Sequence, residues 1–220
     1  YRDRLGRPGE ALALYREVLR LDEQHAPAWL GMARLRISQG DAQEGERLLE
    51  RVVAIDPANE DGRIELAALL ADRGEIERAR AELTWLGEHT EAPVEAGFRL
   101  GRLDYAAGRY REAADEYRKA IAASGGTHVA SLNNLGLSLK AQGDAEGARR
   151  SFSEAARIDP AYASAPYNLG LLALDGDDLE AARAGFERAV AIDPAYAAAW
   201  YNLGLVHGMR DDPRAAIPAY

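Results

Sequence analysis

A period of 34 residues runs through this chain and constrains its fold more than any single motif. Residues 162–170 read YASAPYNLG, and residues 196–204, 34 positions later, read YAAAWYNLG. One further step back reaches Gly136 in SLNNLG. Five full repeats follow, 26–59, 60–93, 94–128, 129–162 and 163–196, the third carrying one extra residue near Ser124 to His128. Residues 1–25 match the second half of an earlier repeat, and 197–220 most of a later one. A unit this short cannot bury its apolar face alone, so neighbouring copies must stack and share a core.

Aligning the repeats gives each column a physical task. The eighth column holds Ala33, Ala67, Gly101, Gly136, Gly170 and Gly204, and the twentieth holds Ala11, Gly45, Ala79, Ala113, Ala148, Ala182 and Ala216. Small side chains at fixed places let two helices approach closely, while large neighbours fill the space beside them. Those neighbours are Met32, Leu66, Leu100, Leu135, Leu169 and Leu203, and, four columns past the second small position, Tyr15, Leu49, Leu83, Tyr117, Phe152, Phe186 and Tyr220. Spacings of three and four predict helices, and no stretch alternates with the two-residue period of a strand. Each repeat therefore reads as two antiparallel helices. Gly40, Gly74, Gly108 and Gly143 fall between the halves, where a helix C-terminus calls for a left-handed residue. Asp41 is the N-cap candidate after the first of them, with Glu44 at the capping-box position. The tripeptide Ile-Asp-Pro at 55–57, 158–160 and 192–194 predicts the end of each second helix.

With these columns in place the chain resembles the tetratricopeptide repeat family, whose 34-residue helix-turn-helix unit carries a W-x2-L-G-x2-Y…A-x3-F…P pattern. Trp200, Leu203, Gly204, Ala216 and Tyr220 match it, with His207 in place of the first tyrosine. The resemblance covers essentially the whole chain and implies an all-α, right-handed α-solenoid of helical hairpins, read here as one solenoid over 1–220. Arg63 and Gly97 stand in the tryptophan column of the second and third full repeats, which puts their local packing in question.

Catalytic chemistry finds no support in the residues. Among 220 residues there is no cysteine, so thiolate catalysis, thiolate metal sites and disulfides are excluded, and the redox compartment stays open. The four histidines, His25, His89, His128 and His207, are too far apart in sequence to suggest a metal pair. The run Asp175–Gly176–Asp177–Asp178 resembles the start of a calcium loop, but its twelfth position is Phe186 where glutamate is needed. It falls where every repeat turns, so helix-capping aspartates in a solvated turn are expected. No phosphate-binding glycine loop or nucleophile elbow occurs. No cofactor is expected, and the chain is not expected to be an enzyme. With 27 basic and 36 acidic residues the net charge is −9, which argues against nucleic acid and anionic membranes. No apolar run nears the roughly 18 residues a bilayer requires. Only Lys119 and Lys140 are lysines, a skew toward arginine that suggests a GC-rich bacterial source.

Binding is where the pattern points. Stacked hairpins present an extended concave surface, and the family resemblance lines it with the second, fifth, sixth, ninth, twelfth and thirteenth columns. The sixth column gives Asn134, Asn168 and Asn202 in successive repeats. An amide offers donor and acceptor together, so a row of them can pair with an extended peptide backbone whatever its sequence. Tyr167 and Tyr201 lie beside this ladder, with Leu137, Leu171 and Leu205. Toward the N-terminal half the wall holds Arg34, Phe98, Arg99, Arg102, Tyr105 and Lys140, a set suited to an acidic peptide. A carboxylate clamp of the kind some family members use is disfavoured, since its lysine column holds Asn133, Tyr167 and Tyr201. The function expected is a non-catalytic protein–protein interaction scaffold holding a protein or peptide ligand in the concave groove. A substrate-recruiting domain of a larger enzyme and a structural assembly module are the alternatives. Because Leu12, Tyr15 and Leu19 at one end, and Leu203, Ile217 and Tyr220 at the other, would face outward, 1–220 is expected to be part of a longer protein, and self-association is expected to run end to end.

Overall fold

The structure is a computed structural model and describes residues 7–209. Among these residues there are twelve α-helices and no strand. They are α1 (Pro8–Leu21), α2 (Ala26–Ser38), α3 (Ala42–Ile55), α4 (Glu60–Asp72), α5 (Ile76–His89), α6 (Pro93–Ala106), α7 (Tyr110–Ala123), α8 (Val129–Ala141), α9 (Ala145–Ile158), α10 (Ser164–Asp175), α11 (Leu179–Ile192) and α12 (Ala197–Met209). Their bounds follow the repeats. Helices pair as α2 with α3, α4 with α5, α8 with α9 and α10 with α11, and within each unit one pair stacks on the next, α3 against α4 and α9 against α10. The helices group into two compact units, one within Tyr1–Leu103 and one within Asp104–Tyr220. No described helix is long and apolar enough to cross a membrane.

Turn chemistry sets where the helices begin and end. The side chains of Asp41, Asn59, Asp144 and Asp178 each accept the N–H three residues on, at 3.2, 2.9, 2.8 and 3.0 Å, satisfying a donor that the first helical turn leaves without a partner. His25 does the same through Nδ1 for the Ala28 N–H, so this histidine is a helix cap. The aspartate of each Ile-Asp-Pro has its own role. Asp159 and Asp193 accept the N–H two residues on at 2.9 Å, closing a turn that the following proline cannot extend as helix. Between paired helices Gly40, Gly74, Gly108 and Gly143 adopt φ of 84, 80, 75 and 82°. In the next repeat the same column holds Asp177 at φ 59°, while Gly176 beside it has φ −92°. The acidic run is thus a turn ended by the Asp178 cap, as its position predicts.

The core forms where the small columns let helices meet. Ala79, Ala113, Ala148 and Ala182 are fully buried, as are Tyr117, Phe152 and Phe186. A Cβ on Gly136 would stand 2.5 Å from the Phe152 ring, and one on Gly170 would stand 2.8 Å from the Phe186 ring. Glycine in the eighth column therefore makes room for an aromatic ring from the paired helix. At Gly185 of α11 the neighbour is backbone: a Cβ there would lie 2.7 Å from the N and Cα of Gly170 and 2.8 Å from the Pro166 carbonyl. At this crossing two backbones touch with no side chain between them.

Arg63 preserves the packing that its position put in question. In the flanking case Trp29 donates its indole N–H to the carbonyl of Glu23, six residues earlier, at 2.9 Å, and Trp200 does so to Pro194 at 3.0 Å. Arg63 directs its Nε to the equivalent carbonyl, Pro57, at 2.6 Å. Its guanidinium lies 3.5 Å from the ring centroid of Trp85 on α5 and pairs with Glu82. The preceding repeat has the same partners exchanged, Trp29 on the first helix and Arg51 on the second, 6.0 Å apart. The two repeats thus place tryptophan and arginine on opposite helices, and in each the guanidinium faces the indole ring.

The N-terminal end departs from expectation. Leu12 and Tyr15 pack against the core and Leu19 is buried, because this face of α1 docks on α2. The exposed leucines of α1 are Leu14 and Leu21. At the other end Leu203 is buried, while Ile217 and Tyr220 lie outside the described residues.

Candidate functional site

The amide row falls on α8, α10 and α12, all within the second unit. Equivalent positions 34 residues apart bring successive first helices side by side, so fifth- and sixth-column side chains reach across repeats. Asn168 donates its amide N–H to Asn133 Oδ1 at 2.8 Å, and Asn133 lies 3.5 Å from Asn134 Oδ1 through its own amide nitrogen. Asn202 does not join this chain: it donates to the Tyr167 hydroxyl at 3.1 Å and to the Ala198 carbonyl at 2.9 Å. The row is therefore two short networks. One holds Asn133, Asn134 and Asn168, and the other holds Tyr167 and Asn202.

Such networks fix amide orientation, since each bond made decides which end of the group faces outward. Among the described residues, Asn168 Oδ1, Asn202 Oδ1 and Asn134 Nδ2 have no partner, which leaves two acceptors and one donor group unused. Asn168 is buried at 7% exposure, whereas Asn134 and Asn202 are half-buried. Asn133 is the member that the column reading missed: it sits in the fifth column, where the family pattern directs attention to a lysine. Its signal was adjacency to Asn134 in the sequence NN.

Aromatic rings flank the amides. Tyr167 is half-buried, its ring 4.8 Å from Tyr196 and 5.7 Å from Phe186. Tyr201 is 56% exposed, the most open large aromatic among the described residues. Leu137, Leu171 and Leu205 are half-buried beside them. Burial raises the Tyr162 and Tyr196 phenols above the ordinary tyrosine value, partly opposed by hydrogen bonding with the Ser164 hydroxyl.

The cationic residues are already engaged. Lys140 pairs with Asp175 of the next repeat at 2.7 Å, and Arg99 pairs with Glu95 at 2.5 Å. Arg34 spans to Asp61 and Glu65 on α4, at 2.8 and 2.5 Å, and the hydrogen bond to Glu65 raises its pKa further above the ordinary arginine value. Arg102 lies 6.0 Å above the Phe98 ring. Tyr105 packs edge-on to Tyr110 at 5.2 Å. Phe98, Arg99 and Arg102 belong to the first unit, and Tyr105 and Lys140 to the second. Interrepeat ion pairs of this sort tie one hairpin to the next at about 0–1 kcal/mol each when exposed. No group of three His, Asp or Glu among the described residues is placed to hold a metal ion.

An all-α array of paired helices at a 34-residue period, with small-residue crossings and capped turns, defines a helical-repeat protein. The chain belongs to the tetratricopeptide repeat family: three models of that repeat match residues 4–53 and 36–92, 98–163 and 174–209. No curated protein matches it by sequence. Among solved structures it is similar to PilF of Pseudomonas aeruginosa, with TM-score 0.71 and 18% identity over 90% of this chain and 89% of that one. It is similar to YrrB, described as a repeat protein with an unusual peptide-binding site, with TM-score 0.63 and 15% identity over 89% and 97%. It is also similar to a chain of the APC/C hetero-tetramer Cut9–Hcn1, with TM-score 0.67 and 18% identity; 97% of this chain is covered but only 42% of that one. At these identities the likeness is one of fold.

Proposed function

We propose that this chain is a non-catalytic protein-interaction scaffold that holds an extended peptide segment along α8, α10 and α12. The observation that carries the reading is the oriented amide row. Asn134, Asn168 and Asn202 keep unused donors and acceptors on neighbouring helices while their other atoms are fixed by Asn133, Tyr167 and Ala198. An extended peptide backbone presents alternating donors and acceptors, which such groups can meet without reading side chains. Tyr167 and Tyr201 give the peptide's side chains an aromatic surface with a polar tip. Phe98, Arg99, Arg102, Tyr105 and Lys140 are proposed as further contacts for an acidic stretch, and the repeats are read as one solenoid over 1–220. The peptide-binding site named for YrrB is consistent with this use of the fold.

The test starts from twelve-residue peptides selected on the immobilised chain from a random phage library. Replacing Asn134, Asn168 and Asn202 together by alanine removes up to three hydrogen bonds at ~0.5–1.5 kcal/mol each, so affinity by calorimetry should fall about ten- to a thousandfold. Far-ultraviolet circular dichroism should stay at the parent value. Selected peptides that bind the triple variant as tightly as the parent would place the site elsewhere.

A further inference from the structure

A second surface lies within the first unit. A cavity of about 580 Å³ opens near Arg34, but that arginine is already held by Asp61 and Glu65. A different cavity, of about 530 Å³, is formed by α1, α2 and α3. Its floor is apolar, made of Leu19, Trp29 and Met32. Arg16, Arg20 and Arg51 rim it, with Glu23 as its one acidic residue. Trp29 and Met32 sit on α2 roughly 150° around the helix from Leu30 and Arg34, the residues aligned with Asn133 and Leu137. The cavity and the amide columns are thus on different faces of the repeat.

Its charge is inverted relative to the chain. Three arginines face one glutamate here, in a protein of net charge −9. Arg20 is committed to Glu17 through two nitrogens. Arg16 has no partner among the described residues, and Arg51 meets only the Trp29 ring, at the 6.0 Å edge of useful cation–π distance. The next repeat shows what completes such a pair. There the Arg63 guanidinium, stacked on Trp85, also binds the Glu82 carboxylate. The residue aligned with Glu82 one repeat earlier is Leu48, which is buried and offers no carboxylate. In the first full repeat the arginine and tryptophan are present and the acid is missing.

We infer that this cavity is a second docking site, taking an acidic segment of a partner protein, with a carboxylate held by Arg16 and Arg51 and an adjoining apolar side chain set on Trp29. Guanidinium and carboxylate form paired, charge-assisted hydrogen bonds, and closure over the indole shields them from water. The volume accommodates one or two side chains, so the segment binds through a short motif. A phosphate backbone would meet the same arginines, but nucleic-acid binding tracks several phosphates along a longer basic stripe than the three arginines here provide.

The test uses the whole chain labelled with nitrogen-15 and the indole N–H resonances of Trp29, Trp85 and Trp200, assigned with Trp85→Phe and Trp200→Phe. The probe is the capped peptide Glu-Glu-Phe-Glu-Glu, with Lys-Lys-Phe-Lys-Lys as control. The acidic peptide should shift the Trp29 resonance saturably and leave that of Trp200 in place, while the lysine peptide should not. Arg16→Ala and Arg51→Ala should each weaken the response about tenfold, and both side chains are exposed, so folding is retained. Asn168→Ala should leave it unchanged, which separates this site from the amide row. The inference is overturned by no Trp29 shift at millimolar peptide, by an equal response in the double arginine variant, or by tighter binding of an eight-nucleotide oligothymidylate.

Discussion

Gly185→Ala should destabilise the protein even though alanine is the better helix former. In an exposed helix interior this exchange would stabilise by about 1 kcal/mol. Here the added Cβ would stand 2.7 Å from Gly170 N and Cα and 2.8 Å from the Pro166 carbonyl, all backbone atoms of α10. A clashing side chain can rotate away, but backbone cannot, so α10 and α11 must separate by several tenths of an ångström. That separation loosens Phe186, which is fully buried between them. Overpacking of this kind costs about 1–3 kcal/mol, and helix separation places this site at the upper end. Net of the propensity gain, the loss should be about 1–2 kcal/mol, or roughly 2–8 °C in Tm for a chain of this size. Gly208 in α12 is the control, since no atom of the described residues lies within 4 Å of its would-be Cβ, and Gly208→Ala should be neutral or stabilising. Urea titration followed at 222 nm compares the two. A midpoint for Gly185→Ala at or above the parent's would refute the backbone-contact account.

Further outcomes follow from other contacts. Arg63→Ala should cost about 3 kcal/mol by thermal denaturation, because it strands the partly buried Glu82 carboxylate, frees the Pro57 carbonyl and uncovers Trp85; a loss below about 0.5 kcal/mol would show the pair to be ornamental. Asp177→Gly should stabilise by about 0.5–1 kcal/mol, since φ of 59° suits glycine better than any side chain, and an unchanged urea midpoint would contradict this. Stability should fall as pH rises above the ordinary tyrosine pKa of 10.0, because half-buried Tyr162 and Tyr196 keep protons that the unfolded chain releases. Their contribution is complete below that value and disappears as pH climbs through the raised folded-state pKa. Replacing both by phenylalanine should flatten the alkaline slope, and an unaltered slope would assign it to other groups.

The period and the columns made the fold legible because a solenoid solves one local packing problem many times, and each solution leaves its mark 34 residues apart. Gly136 against Phe152 and Gly170 against Phe186 were readable for that reason. What broke the period was harder. The exchange of arginine and tryptophan between Trp29–Arg51 and Arg63–Trp85 looks, in any one column, like loss of a core residue. It becomes a contact common to both repeats only once the two helices are placed side by side. The face of α1 was misjudged for a related reason: its heptad-like spacing marks Leu12, Tyr15 and Leu19 as one apolar stripe but does not say which neighbour covers it. At the amide row, sequence located Asn134, Asn168 and Asn202, while the bonds that orient them depend on Asn133 and on side-chain reach between repeats. Ion pairs such as Lys140 with Asp175 were invisible for the same cause, being set by distance across a repeat boundary.

The central claim is that the amide row binds the backbone of an extended peptide, and N-methylation of a selected peptide tests it most directly. Replacing a backbone N–H by N–CH3 removes one donor and leaves every side chain in place. Scanning the modification along a twelve-residue ligand should give losses of about tenfold at the positions facing Asn168 Oδ1 and Asn202 Oδ1, and little elsewhere. In the Asn134, Asn168 and Asn202 alanine variant the same scan should be flat. A flat scan on the parent protein, with affinity governed by the peptide's side chains alone, would contradict the claim.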